Sequence, residues 1–124
     1  MKAAVAVLAG PAGGGDAAAG RVFNPLAAES EFARRGDEVS IVFHGAGTRW
    51  PALLADPGHP FHGLFASVPP VAAGVSDACA TVFGARGAAR DGGMGSVGGN
   101  PVDGVGELAS VASLVADGNH VLTF

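Results

Sequence analysis

The chain holds one cysteine, Cys79, and four histidines. These side chains are the ones best suited to nucleophilic or acid–base work near neutral pH. Cys79 lies in the stretch VAAGVSDACATVFG, residues 71–84. Val71 to Val75 is a small, partly β-branched apolar run, the pattern of a short buried strand. Ser76 and Asp77 can each cap the helix that Ala78 to Phe83 would begin. Cys79 then falls in the first turn of that helix, where the backbone dipoles favour a thiolate. The ends of strands leading into helices are also where open α/β sheets bind ligands. The opposing reading makes Cys79 a small buried hydrophobe, a common fate of free cysteines. Position alone leaves both open.

A second candidate edge is His44-Gly45-Ala46-Gly47-Thr48, which follows the apolar run Val39–Phe43. His44 and Gly45, with Ser76 and Asp77, form the expected ligand-binding edge, set against a purely structural role for the histidine. His59 and His62 share a Pro/Gly-rich loop with Asp56. Two histidines three apart in such a loop lack the helical i, i+4 or cysteine-rich spacing of zinc motifs, so no metal is expected. His62 or His44 could serve Cys79 as a base in a hydrolase or transferase, provided thiol and imidazole meet. The glycine loop Gly10–Asp16 lacks the Gly-Lys-Ser/Thr ending of a nucleotide loop. It also has Ala18 where Gly-x-Gly-x-x-Gly needs its third glycine. It reads as a solvent loop, and no cofactor is expected.

These residues need a frame. Met1–Ala9 is expected to be a central strand, apolar on both faces as covered parallel strands are. Residues 18–35 turn helical, with Val22, Leu26, Phe32 and Ala33 on one face and Glu29, Glu31, Arg34 and Arg35 largely elsewhere. Pro25 predicts a kink there or a start near Asn24, and Gly36 is placed to end the helix. Val39–Phe43 is the second strand, completing a βαβ unit with a parallel pair. Arg49–Ala55 reads as a short helix with Pro51 in its first turn and Trp50 as packing area. Leu64–Val68 reads as a helical turn. Arg86–Asp91 would continue the cysteine helix, Gly92–Asn100 is a loop or a poor short strand, and Val102–Ala116 shows helical spacing. Asp117-Gly118 then leads into a last strand, His120–Phe124.

With 124 residues the chain makes one domain, 1–124. That length is enough to bury about two-thirds of the unfolded surface. The chain is 48% hydrophobic and only 15% charged, which rules out a disordered profile. So few charges cover a lone globule poorly, and the composition points to burial against other subunits. The net charge is −4, with Arg34-Arg35 followed at once by Asp37-Glu38. No basic patch therefore marks a nucleic-acid partner. A single cysteine forms no internal disulfide, which favours a reducing cytoplasm. Lys2 with AAVAVLAG imitates a signal peptide, but the same residues serve as a first strand. No stretch approaches the ~18 unbroken apolar residues of a membrane span.

Several stretches, in order and over essentially the whole length, resemble the DsrE-like family, which includes sulfur-relay proteins of the DsrE/TusD type. They are KAAVAVLA, GDEVSIVFHGAGTRW, LADPGHPFHGLF, VAAGVSDACATVFGA and SLVADGNHVLTF. The resemblance is to a subgroup of small stand-alone proteins. It implies a three-layer α/β/α sandwich with a mostly parallel, about five-stranded sheet, assembled into trimers or hexamers. It also implies, in the sulfur-transfer members, a cysteine after a central strand that carries sulfur as a persulfide between donor and acceptor proteins. Cys79 falls on that position. Where similar sequences often read Cys-x-x-Cys, the first position is Ser76, so no resolving thiol is present within one subunit. His44 stands where similar sequences commonly carry Asp, and Gly92–Asn100 departs most. The leading expectation is a sulfur carrier using Cys79. The alternative is a non-catalytic oligomer binding a small anion or nucleotide at the His44–Thr48 and Ser76–Cys79 edge.

Overall fold

The computed structural model of the chain describes residues 1–87 and 93–124. It opens on β1 (Lys2–Val7), whose residues Ala3 to Val7 are all buried, as the two-faced apolar run requires. Helix α1 (Gly15–Arg34) returns the chain to β2 (Glu38–Phe43). A 3₁₀ turn (Gly45–Arg49) runs into α2 (Trp50–Leu54), with Pro51 in its first turn, and α3 (His62–Ala66) follows. Then come β3 (Ala73–Ser76), α4 (Asp77–Val82), β4 (Gly95–Val97), β5 (Gly99–Val102), β6 (Gly106–Ala109), α5 (Val111–Ala116) and β7 (His120–Thr123).

The central sheet has five strands in the order β4-β3-β2-β1-β7, and every neighbouring pair is parallel. With helices flanking it, this is the expected α/β sandwich. The register Val5↔Ile41, Val7↔Phe43 and Phe43↔Val75 puts large apolar side chains on one face. They pack with Ala18, Val22 and Leu26 of α1, Trp50 and Leu54 of α2, and Val68. Phe65 of α3 meets Phe43 edge-on at 6.4 Å. The alternate positions Ala4, Ala6, Val42, Gly74 and Ser76 form the other face.

Several elements depart from the sequence reading. Helix α1 starts at Gly15 and passes through Pro25 unbroken, so Pro25 neither breaks nor begins it. The residue is buried against the core, where packing outweighs its missing N–H. Glu29 is buried at 2% exposure instead of lying on the polar face. Its i+7 and i+3 spacing from Val22 and Leu26 puts it on the apolar stripe. At the other end Gly36 N–H donates to Ala33 and Asp37 N–H to Phe32, the closing pattern expected of a terminal glycine. Val71 belongs to a 3₁₀ turn (Pro70–Ala72) and is 98% exposed, because Pro69-Pro70 delays β3 until Ala73.

The region 102–109 is a hairpin, not a helix. β5 and β6 pair antiparallel around Asp103-Gly104, with Gly104 at φ +76°. That turn signal outweighs the helical spacing of the valines. Only Val111–Ala116 is helical. The glycine-rich segment likewise supplies β4 and the start of β5, within its described part from Gly93 on. Helix α4 spans six residues and ends at Phe83-Gly84. The expected continuation over Arg86–Asp91 lies mostly outside the described residues, as does Gly92.

Candidate functional site

β2 and β3 are interior strands, and both end at the same carboxyl edge. Extending the register Phe43↔Val75 by one step sets His44 beside Ser76, on the face shared with Val42 and Gly74. His44 is anchored by its own backbone N–H, which donates to Val7 at 2.8 Å. The residue is only 6% exposed, and its Nε2 is buried without a partner among the described residues. Burial lowers its pKa below the usual 6.5, so the imidazole is neutral at pH 7. Gly45 opens the 3₁₀ turn that follows. In that turn Thr48 Oγ1 donates to Gly45 at 2.7 Å.

Ser76 occupies the cap position of α4, yet its side chain does not cap the helix. Its Oγ instead accepts the N–H of Ala109 at 2.9 Å, tying β3 to the hairpin strand β6. Asp77 pairs with Arg86 at 2.6 Å, and Arg86 Nε also donates to Thr81 at 2.8 Å. Cys79 is the third residue of this helix and is 8% exposed. The 3₁₀ turn after β2 is joined to α4 through Arg49, whose Nε donates to Phe83 at 3.0 Å and whose guanidinium sits 5.4 Å from that ring. His44, Gly45, Ser76, Asp77 and Cys79 therefore cluster on one sheet edge. Because α4 is so short, its dipole offers a thiolate less than a full helix would.

His62 stands apart, its Nδ1 donating to the Leu54 carbonyl at 2.7 Å. His59 Nδ1 accepts the N–H of Phe61 at 3.1 Å, which puts the proton of its neutral ring on Nε2. Neither ring, nor that of His44, hydrogen-bonds to Cys79 among the described residues. No thiol–imidazole pair of the hydrolase type is therefore formed there. No group of three or more His, Cys, Asp or Glu side chains converges on a metal position among the described residues. No described helix is long and apolar enough to cross a membrane.

Two features escape a reading of the residues alone. Glu29 is a buried carboxyl whose Oε1 has no partner among the described residues, its pKa raised by desolvation. A cavity also opens beside the glycine loop after β1, with Trp50 and His59 both in its wall. Trp50 is legible as a packing residue, but nothing in the sequence brings it to that loop. Compared with known proteins, the chain matches no family model, no curated protein and no solved structure.

Proposed function

We propose that the protein is a sulfur carrier of the DsrE-like type, holding sulfane sulfur on Cys79 as a persulfide. The observation that supports this most is the place of the chain's only thiol. It stands in the first turn after an interior strand, on the carboxyl edge that also holds His44 and Ser76. The Cys79 thiolate attacks the outer sulfur of a donor persulfide. The donor's S–S bond breaks, the donor leaves as a thiolate, and Cys79 keeps the sulfur as S–SH. An acceptor thiolate reverses the exchange by taking the outer sulfur and releasing the Cys79 thiolate. Sulfur moves between thiols at one oxidation level, so the cycle needs donor and acceptor proteins but no oxidant.

The buried thiol offers little surface to a partner, so loading requires the covering segments to move. The same burial favours the second reading, a non-catalytic oligomer that binds a small ligand. Assembly as a trimer or hexamer fits both readings. It is supported by α5, which buries none of its residues and leaves Val111 and Val115 exposed, apolar area that a second subunit could cover. Light scattering of the purified protein tests the assembly, and a monomer removes it. Incubation with a cysteine desulfurase and cysteine, followed by intact-mass analysis, tests the carrier. One added sulfur atom on Cys79 supports it, whereas equal loading of Cys79→Ser favours the second reading.

A further inference from the structure

Aspartate directly precedes glycine three times, at Asp91-Gly92, Asp103-Gly104 and Asp117-Gly118. A glycine carries no Cβ to shield its backbone nitrogen from the carboxyl of the residue before it. The first pair lies outside the described residues. The structure holds the other two differently.

Asp117-Gly118 closes helix α5. Gly118 N–H donates to Val115 at 3.0 Å, and Asn119 N–H donates to Leu114 at 3.0 Å. Lys2 Nζ donates to the Asp117 carbonyl at 3.1 Å. Turning the Gly118 nitrogen towards the Asp117 side chain therefore requires the end of α5 to open. Asp103-Gly104 lies instead in the loop joining β5 to β6, and both residues are exposed. Val105 N–H donates to Val102 at 3.0 Å and closes the turn around them, whereas Gly104 N–H has no acceptor among the described residues. Asp103 forms no ion pair there either.

We propose that Asp103 is a site of spontaneous isoaspartate formation, with Asp117 protected by its helix end. The Gly104 nitrogen attacks Cγ of the protonated Asp103 carboxyl. An N–Cγ bond forms, and the amide proton leaves with the carboxyl OH as water, closing a five-membered succinimide. Water then adds to the Asp103 backbone carbonyl carbon and breaks its bond to nitrogen. Gly104 is left attached through Cγ, and the old backbone carbonyl becomes a free carboxylate. No oxidant or reductant takes part, and the only co-reactant is water. The product carries one extra main-chain carbon in the three-residue loop that sets the register Val102↔Gly106. The same hairpin is tied to β3 through Ala109 and Ser76. This chemistry does not involve Cys79 and does not rest on the carrier reading.

The test ages the full chain slightly below neutral pH, where a small fraction of the carboxyl is protonated, and below its melting temperature. Isoaspartate is counted by methyl transfer from labelled S-adenosylmethionine, using an isoaspartyl methyltransferase. Cleavage after Glu107 separates Asp103 from Asp117, and electron-transfer fragmentation assigns the modified residue. Conversion at Asp103 should run at least about tenfold faster than at Asp117, because each attack at Asp117 needs an opening of the helix end. In guanidinium chloride above the unfolding transition the two rates should converge. No isoaspartate at Asp103, or equal rates at both sites in the folded chain, would overturn the proposal. A difference that persists in the unfolded chain would overturn the protection by α5.

Discussion

Ser76 Oγ accepts the backbone N–H of Ala109 at 2.9 Å, across 33 residues of sequence. This bond draws the hairpin strand β6 onto the carboxyl end of β3, over a serine that is fully buried. Ser76→Ala removes the acceptor and leaves a buried amide unpaired, at a cost of about 1–3 kcal/mol. Denaturant unfolding should show that loss. The amide of Ala109 should also exchange faster with solvent, and unchanged exchange would mean that the hairpin is held by other contacts.

His44 should make stability depend on pH in mild acid. Its folded pKa lies below 6.5, so between that pKa and the ordinary value the unfolded chain binds more protons than the folded one. The stability it contributes is fully present above about pH 6.5 and is lost as pH falls through the folded pKa. Urea unfolding at several pH values should give His44→Gln a flatter profile than the parent across this window. Parallel profiles would contradict it.

Glu29 should act with the opposite sign. Burial raises its folded pKa above 4.5, so the folded chain holds a proton that the unfolded chain releases as pH rises. Its stabilisation is complete below pH 4.5 and declines as pH climbs through the folded pKa. Glu29→Gln keeps the shape without the titration. It should be more stable than the parent at pH 7, and the gap should close in acid. A gap of the same size at every pH would mean that ionisation is not the cause.

Two glycines should respond oppositely to a methyl group. A Cβ on Gly47 would run into the backbone carbonyl of Val7, which cannot rotate away. Gly47→Ala should therefore cost about 1–3 kcal/mol or more. Gly20 lies inside α1, where the nearest atom to an added Cβ is Asn24 Nδ2 at 3.7 Å. Gly20→Ala should stabilise the chain by roughly 0.5–1 kcal/mol through reduced backbone entropy. Thermal melts of the two variants decide both.

The parallel core is legible in the sequence because its signals are local. A two-faced apolar run marks β1, Gly36 marks the end of α1, and the strand-to-helix boundaries mark β2, β3 and the edge with His44 and Ser76. The hairpin is hidden because Val105, Leu108 and Val111 mimic a helical stripe, whereas Asp103-Gly104 is the stronger instruction. Glu29 is misplaced when residue type is weighed over its spacing from Val22 and Leu26. The pairing of Ser76 with Ala109 and the meeting of Trp50 with the first glycine loop depend on tertiary contacts between distant segments. No local pattern encodes them.

Whether the Cys79 sulfur can meet a partner without unfolding of the chain is decided by its alkylation rate in increasing denaturant, below the unfolding transition. A carrier should label with iodoacetamide at a rate nearly independent of denaturant there, because only the covering segments need to open. A rate that climbs in step with the global unfolding constant would show a thiol sealed in the folded protein, and the sulfur-carrier reading would fail.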